Sequence, residues 1–307
     1  MLPRVFLALA SACLAQLSTP SLVHAQIAPV RASAQAASQV VRAAVIDDDD
    51  RRTEWQFSAE TGIPLDRVQR TFAATGTLRC GGISVSAQLT LRADIITTVA
   101  HAFDHTRTCR RIARPHDCTF VVRVGETEFR SRVAAMVGTG YSCPRSPRPD
   151  DDWAVLRLET PIAGVEPYRP LPETVPIRAG DRVMSVANGS LDFFLKDPVT
   201  GNRSFPKTIG RCVVKKVYGL REAQSYFSSD CDGAQGASGG SVLDWRSGEP
   251  LLMGIYVKNQ ETPQQLKRAI ARGIPNRGAY HELRWASYHV PLRGRFLRTL
   301  RRAVAEP

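Results

Sequence analysis

The chain has 307 residues, of which 43% are hydrophobic and 23% charged, a balance that fits one large or two small globular domains and excludes a disordered or fibrous chain. A formal charge of +12 raises acidic polymers or membrane surfaces as partners. The excess lies in scattered arginines and in the tail 293–302, with no aromatic-interleaved basic patch, so no nucleic-acid partner is expected.

Residues 1–25 carry Arg4, the apolar run Val5 to Leu14, and Val23-His24-Ala25 before Gln26. This reads as a secretory signal peptide cleaved after Ala25, which sends the chain to the periplasm or out of the cell. The apolar run is short of the about 20 residues that a bilayer-spanning helix needs, so no membrane span is expected. Lipid attachment at Cys13 is disfavoured, because Ala10 stands where a bulky aliphatic residue would be required. Loss of residues 1–25 removes Arg4 and Cys13, leaving a charge of +11 and the six cysteines Cys80, Cys109, Cys118, Cys143, Cys212 and Cys231. An even set in an exported chain implies disulfides, and the absence of Cys-x-x-Cys or His-Glu-x-x-His spacing leaves no metal or cofactor expected. Sequence neighbours pair as 80 with 109, 118 with 143, and 212 with 231, one of several connectivities open to six cysteines.

Residues 26–50 begin rich in Ala, Ser and Gln and read as a propeptide or linker too poor in core residues to fold alone. The acidic run Asp47 to Asp50, followed by Arg51-Arg52, marks its end as a processing site or as a solvated charge cluster. From Cys80 the pattern turns to strands. Ile83, Val85, Ala87, Leu89 and Leu91 alternate with Ser84, Ser86, Gln88 and Thr90, the period of a half-buried strand. Further runs lie at 95–99, 120–124, 153–158, 182–186, 213–218, 241–245 and 251–257, separated by Gly, Pro, Asp and Asn. Many short strands without long helices between them predict an all-β barrel or sandwich. One helix is predicted, at the C-terminus, where Phe296, Leu300 and Val304 recur every four residues.

Three segments carry candidate chemistry. Thr97-Thr98-Val99-Ala100-His101 runs a strand into an imidazole; Asp150-Asp151-Asp152-Trp153-Ala154-Val155-Leu156 sets a carboxylate before an apolar strand; Gly236-Ala237-Ser238-Gly239-Gly240 holds a serine between glycines. A serine hydroxyl needs a base to take its proton, histidine titrates in the right range, and a carboxylate on the other ring nitrogen fixes the tautomer. Glycines leave the Gly236 and Ser238 amides open toward an oxyanion. His105 is a rival base, and Asp150 and Asp151 are rival orienters.

With their order His, Asp, Ser, these motifs resemble those of the trypsin-like serine peptidases, and among them the bacterial secreted glutamyl endopeptidases. The latter likeness rests on Val45-Ile46 with Asp50-Arg51 near the mature start and on Cys231-Asp232 ahead of Gly236. The resemblance implies two six-stranded antiparallel barrels of the chymotrypsin type and a C-terminal helix. The first barrel, residues 51–165, would carry His101 and Asp152, the second, 166–290, would carry Ser238, and the helix would span 291–307. It implies a secreted serine endopeptidase acting on polypeptides, with His101 as base, Asp152 as orienter, Ser238 as nucleophile, and the amides of Gly236 and Ser238 as oxyanion hole. Cys80 with Cys109 would bracket His101, Cys212 with Cys231 would brace the pocket wall, and Asp232, Tyr256 and Val257 would line the substrate pocket.

The chain departs from the family at Ala237, where many members have the Asp that pairs with a freed N-terminus, so activation by that route is excluded. It departs also at Val257-Lys258-Asn259, in place of Ser-Trp-Gly. Asp232 lies where an Asp selects Lys or Arg, while a glutamate-selecting pocket would want a His near Tyr256, and that histidine is missing, so glutamyl specificity is not supported. Gly236 to Gly240 also satisfies the Gly-x-Ser-x-Gly of α/β-hydrolases, but the order of residues after Ser238 tells against an esterase. An inactive homologue that serves as a binding module is the remaining alternative.

Overall fold

The computed structural model of the chain describes residues 43–106, 108–141, 149–188, 195–196, 203–219, 226–260 and 277–306. The expected signal segment, residues 26–42 of the expected linker, and Cys143 lie outside them.

Strands β1 (Ala43–Ile46) and β2 (Arg52–Thr53) lead into two short helices, α1 (Glu54–Thr61) and α2 (Leu65–Thr71), which the strand-rich reading omits. The start of α1 is written in the sequence as a capping box: Thr53 Oγ1 accepts the Gln56 amide, and the Gln56 side chain accepts the Thr53 amide. Gly62 ends it at φ 71°, a left-handed cap that glycine adopts without a side-chain clash. Phe57 and Val68 anchor the pair in the core.

The first barrel comprises β3 (Thr75–Cys80), β4 (Ile83–Thr90), β5 (Arg92–Thr98), β6 (Cys118–Val124), β7 (Thr127–Thr139) and β8 (Ala154–Leu158). It closes in the order β3-β4-β5-β8-β7-β6, every pair antiparallel. Leu78, Leu89, Ile96, Phe120, Val122 and Leu156 are fully buried within its core cluster. The polar residues of β4 correct the half-buried expectation, because Ser86, Gln88 and Thr90 are fully buried too. Part of this face meets the second barrel, where Ser241 Oγ donates to Gln88 Oε1 at 3.0 Å and lies 2.7 Å from Thr75 Oγ1. Buried hydroxyls and amides are tolerated there because they satisfy one another.

After β9 (Arg169–Pro170) come β10 (Arg182–Asn188), the two-stranded ribbon β11 (Leu195–Lys196) and β12 (Arg203–Ser204), β13 (Lys207–Tyr218) and β14 (Tyr226–Ser229). Then follow β15 (Gly233–Ala234), β16 (Ser241–Asp244), β17 (Leu251–Gln260), β18 (Arg277–Gly278) and β19 (Ala286–Pro291). The order β10-β16-β17-β19-β14-β13 closes a second six-stranded barrel through the β10–β13 pairing, around Val183, Val214, Phe227, Val242 and Met253. Strand β2 extends β13, and β1 pairs with β15 and β18, with Val45 and Ile46 buried. Residues 43–46 are therefore part of the folded domain, not free linker.

The disulfides correct two of the three expected pairings. Cys80 bonds Cys118, whose strands lie side by side with these two residues in register, and Cys212 bonds Cys231 as expected. Cys109 is disulfide-bonded elsewhere, so Cys80 does not bracket His101 with it. Nearness along the chain misleads because β3 and β6 are adjacent only after the barrel closes.

Helix α3 (Gly294–Ala305) follows the predicted stripe: Phe296 and Leu300 are buried and Val304 is half-buried. It returns to the first barrel, where Phe296 stacks on Trp153 with ring centroids 4.7 Å apart.

Candidate active site

His101 lies in a short turn just past β5, and Asp152 lies just before β8. These strands are antiparallel neighbours with Thr98 opposite Ala154, so the two side chains emerge at the same rim of the barrel. The His101 Nδ1–H donates to Asp152 Oδ2 at 2.7 Å, and the His101 backbone amide donates to Asp152 Oδ1 at 2.9 Å. Two bonds from one carboxylate fix both the ring and its backbone. Burial lowers the affinity of the imidazole for its proton, but the charge and hydrogen bond of Asp152 outweigh it, and Lys258 opposes them; the net pKa is raised above 6.5. Of the rivals, Asp151 bonds Arg295 at 2.9 Å, and the exposed ring of His105 caps Thr108. Tyr141 escaped sequence reading. Its phenol is held protonated by burial first and by the negative charge of Asp152 second.

Ser238 lies in the tight loop between β15 and β16. Gly236 and Gly239 have φ of 97° and 85°, and a Cβ on Gly239 would stand 2.0 Å from the Ser86 carbonyl oxygen. The loop is held from the first barrel by Ser86, whose amide donates to Ser238 O at 2.8 Å and whose Oγ donates to Gly236 O at 2.9 Å. Ser86 was missed as a site residue. Its signal was a hydroxyl on the polar side of β4, which sequence alone reads as solvent-facing. Among the described residues, the amides of Gly236 and Ser238 have no acceptor. Two neighbouring unpaired donors at a serine are what a developing oxyanion needs. The Ser238 hydroxyl itself donates to Val257 O at 3.0 Å, not to His101.

The expected pocket residues are brought near this loop, in different roles. The Asp232 carboxylate accepts the amides of Ile46 at 2.7 Å and Asp50 at 2.9 Å, and burial pushes its pKa up to about 7 against those two bonds. The Tyr256 hydroxyl donates to Asn259 Oδ1, and Asn259 Nδ2 donates to Gly233 O at 2.7 Å, tying β17 to β15. Past Tyr256, β17 pairs with β19 through Lys258, Asn259 and Gln260, while its pairing with β16 stops at Ile255. The other edge of residues 257–260 is thus open among the described residues, beside Ser238. His289 is buried, stacks on Phe227 and bonds Ser229 Oγ at 2.6 Å; burial lowers its pKa to about 3, which keeps it neutral and structural.

The family model described as a trypsin-like peptidase domain matches residues 80–255. A solved structure described as Glu endopeptidase in complex with MPD superposes with a TM-score of 0.57 at 17% identity, covering 85% of this chain and 100% of that one. At that identity the likeness speaks for the fold alone. Among curated proteins, none matches.

Proposed function

The chain belongs to the trypsin-like peptidase family, and from that premise we propose that it is an exported serine endopeptidase working through His101, Asp152 and Ser238. The observation that carries the reading is the pairing of His101 with Asp152 at 2.7 Å, in a site where, among the described residues, the Gly236 and Ser238 amides have no acceptor. In the reaction His101 takes the Ser238 proton as Oγ attacks the peptide carbonyl, and Asp152 stabilises the resulting imidazolium. The two amides receive the oxyanion, each contributing about 3–4 kcal/mol at the transition state. His101 then protonates the leaving amine, and water repeats the sequence on the acyl-enzyme. The substrate backbone would add to the open edge of β17 as an extra strand.

Export is supported by the disulfides Cys80–Cys118 and Cys212–Cys231, which persist in oxidising compartments. No helix among the described residues is long and apolar enough to cross a membrane. Asp232 spends both oxygens on the chain that enters from β1, which supports an anchoring role over selection of Lys or Arg. Antiparallel barrels do not match the strand–helix alternation of the α/β-hydrolase esterase reading.

One observation favours the second reading, an inactive binding module: the Ser238 hydroxyl is engaged with Val257 O. A single side-chain rotation releases it, and catalytic hydrogen bonds commonly tighten only with substrate. The discriminating experiment is fluorophosphonate labelling of processed protein, with the adduct located by mass spectrometry. Labelling at Ser238, lost in Ser238→Ala and weakened in His101→Ala, supports the enzyme. Folded, processed protein that never labels favours the binding module.

A further inference from the structure

The segment of β17 beside Ser238 carries a cation that no acidic side chain pairs with among the described residues. Lys258 is exposed and directly follows Val257, whose carbonyl accepts the Ser238 hydroxyl. Its Nζ lies 5.9 Å from the centre of the Tyr288 ring, and among the described residues no carboxylate pairs with it. Lys215 and Lys216 of β13 in the same barrel are matched: Lys215 bonds Asp230, and Lys216 bonds Glu282. Tyr226 packs edge-on against that Tyr288 ring with centroids 5.7 Å apart. This position sets an exposed charge, on an open strand edge, next to the residue whose carbonyl holds the Ser238 hydroxyl.

We propose that Lys258 is a specificity-determining residue that selects polypeptides with an Asp or Glu in the segment laid along residues 257–260. The inference rests on the peptidase reading above. A peptide added to this edge carries alternate side chains across the Lys258 ammonium, where a carboxylate would pair with it. Pairing has a second effect. Lys258 disfavours the protonated form of His101, acting against Asp152, while Tyr141 beside Asp152 stays neutral; a substrate carboxylate on Lys258 offsets that repulsion and favours the imidazolium formed during attack.

The test measures kcat/KM for a cleavable peptide in which Glu and Gln are exchanged at each position in turn. Wild type, Lys258→Met and Lys258→Glu are compared after fluorophosphonate labelling has scored Ser238 in each. Wild type is expected to favour Glu over Gln by about two- to five-fold at one position or two, less at high salt. The preference disappears in Lys258→Met and turns toward Lys-containing peptides in Lys258→Glu. Lys258→Met also moves the acid limb of kcat/KM to higher pH, a shift that loss of a merely structural side chain would not produce. Labelled enzyme that cleaves Glu and Gln peptides equally, or keeps its preference in Lys258→Met, overturns this proposal alone. Absence of labelling in the wild type overturns the peptidase reading and this proposal with it.

Discussion

The backbone amide of Ile46 donates to the Asp232 carboxylate at 2.7 Å, joining residues 186 positions apart and fixing the segment of β1 against the loop that leads to Ser238. Asp50 supplies the second amide. Asp232→Ala leaves two part-buried or buried donors without an acceptor, and each such loss costs about 1–3 kcal/mol. Because the Asp232 pKa is raised from 3.8 to about 7, the native state binds its proton more tightly than the unfolded chain. Its contribution to stability is therefore full below about pH 4 and is lost as pH rises toward 7. Urea midpoints at pH 4.5 and 7.5 should show wild type losing stability across that window relative to Asp232→Asn, whose side chain does not titrate. Relative cleavage of Arg-containing and neutral peptides should not change in Asp232→Asn.

Asp152 acts on His101 through both charge and geometry. With the His101 pKa raised above 6.5, kcat/KM should climb with pH through a midpoint above that value as the imidazole loses its proton. Asp152→Asn removes the charge, so the midpoint should move to lower pH. It also frees the ring to adopt the wrong tautomer, and kcat should fall by about ten-thousand-fold. Circular dichroism should be unchanged, since Asn retains one oxygen for the His101 amide. A midpoint that stays in place in Asp152→Asn would remove Asp152 as the source of the shift.

Much of the candidate site's geometry is legible in sequence because its residues stand at strand ends. His101 follows β5 and Asp152 precedes β8, and the alternation of apolar residues already marks those strands. Which strands become neighbours is not written locally. The Cys80–Cys118 bond follows from the closing of β3 onto β6, and the sequence offers only spacing. The same blindness hid Ser86, Gln88 and Thr90, whose burial depends on packing and side-chain partners remote in sequence. Helix α1 was missed for another reason: its capping box was present, but one buried residue, Phe57, gives too little apolar periodicity to announce a helix.

The Cys80–Cys118 bond closes a separation of 38 residues within the first barrel. In the chain-entropy model a loop of that size stabilises the fold by about 4 kcal/mol. The double variant Cys80→Ser, Cys118→Ser should lose that order of stability in urea and still label at Ser238 below its melting transition, because neither sulfur touches the triad. Removing Cys212–Cys231 should cost about 3 kcal/mol and also slow labelling, since Cys231 leads directly into Asp232 and the oxyanion loop. Equal labelling in the two double variants would separate the Cys231 segment from the site.

Ser86 provides the most direct test of how the barrels cooperate. Its Oγ donates to Gly236 O and accepts the Asn188 amide at 3.0 Å, while its own amide holds Ser238 O. Ser86→Ala keeps the backbone bond and removes the hydroxyl, so the fold and the position of Ser238 should survive. The peptide carbonyl of Gly236 then loses its donor, and the peptide unit lying between the Gly236 and Ser238 amides loosens. Because in the proposed reaction those amides would bind charge that exists only in the transition state, kcat should fall by about ten-fold with KM nearly unchanged. Ser86→Thr retains the hydroxyl and should recover part of the rate. If Ser86→Ala instead raises KM at constant kcat, the residue serves substrate binding, and the link from β4 to the oxyanion loop is not catalytic.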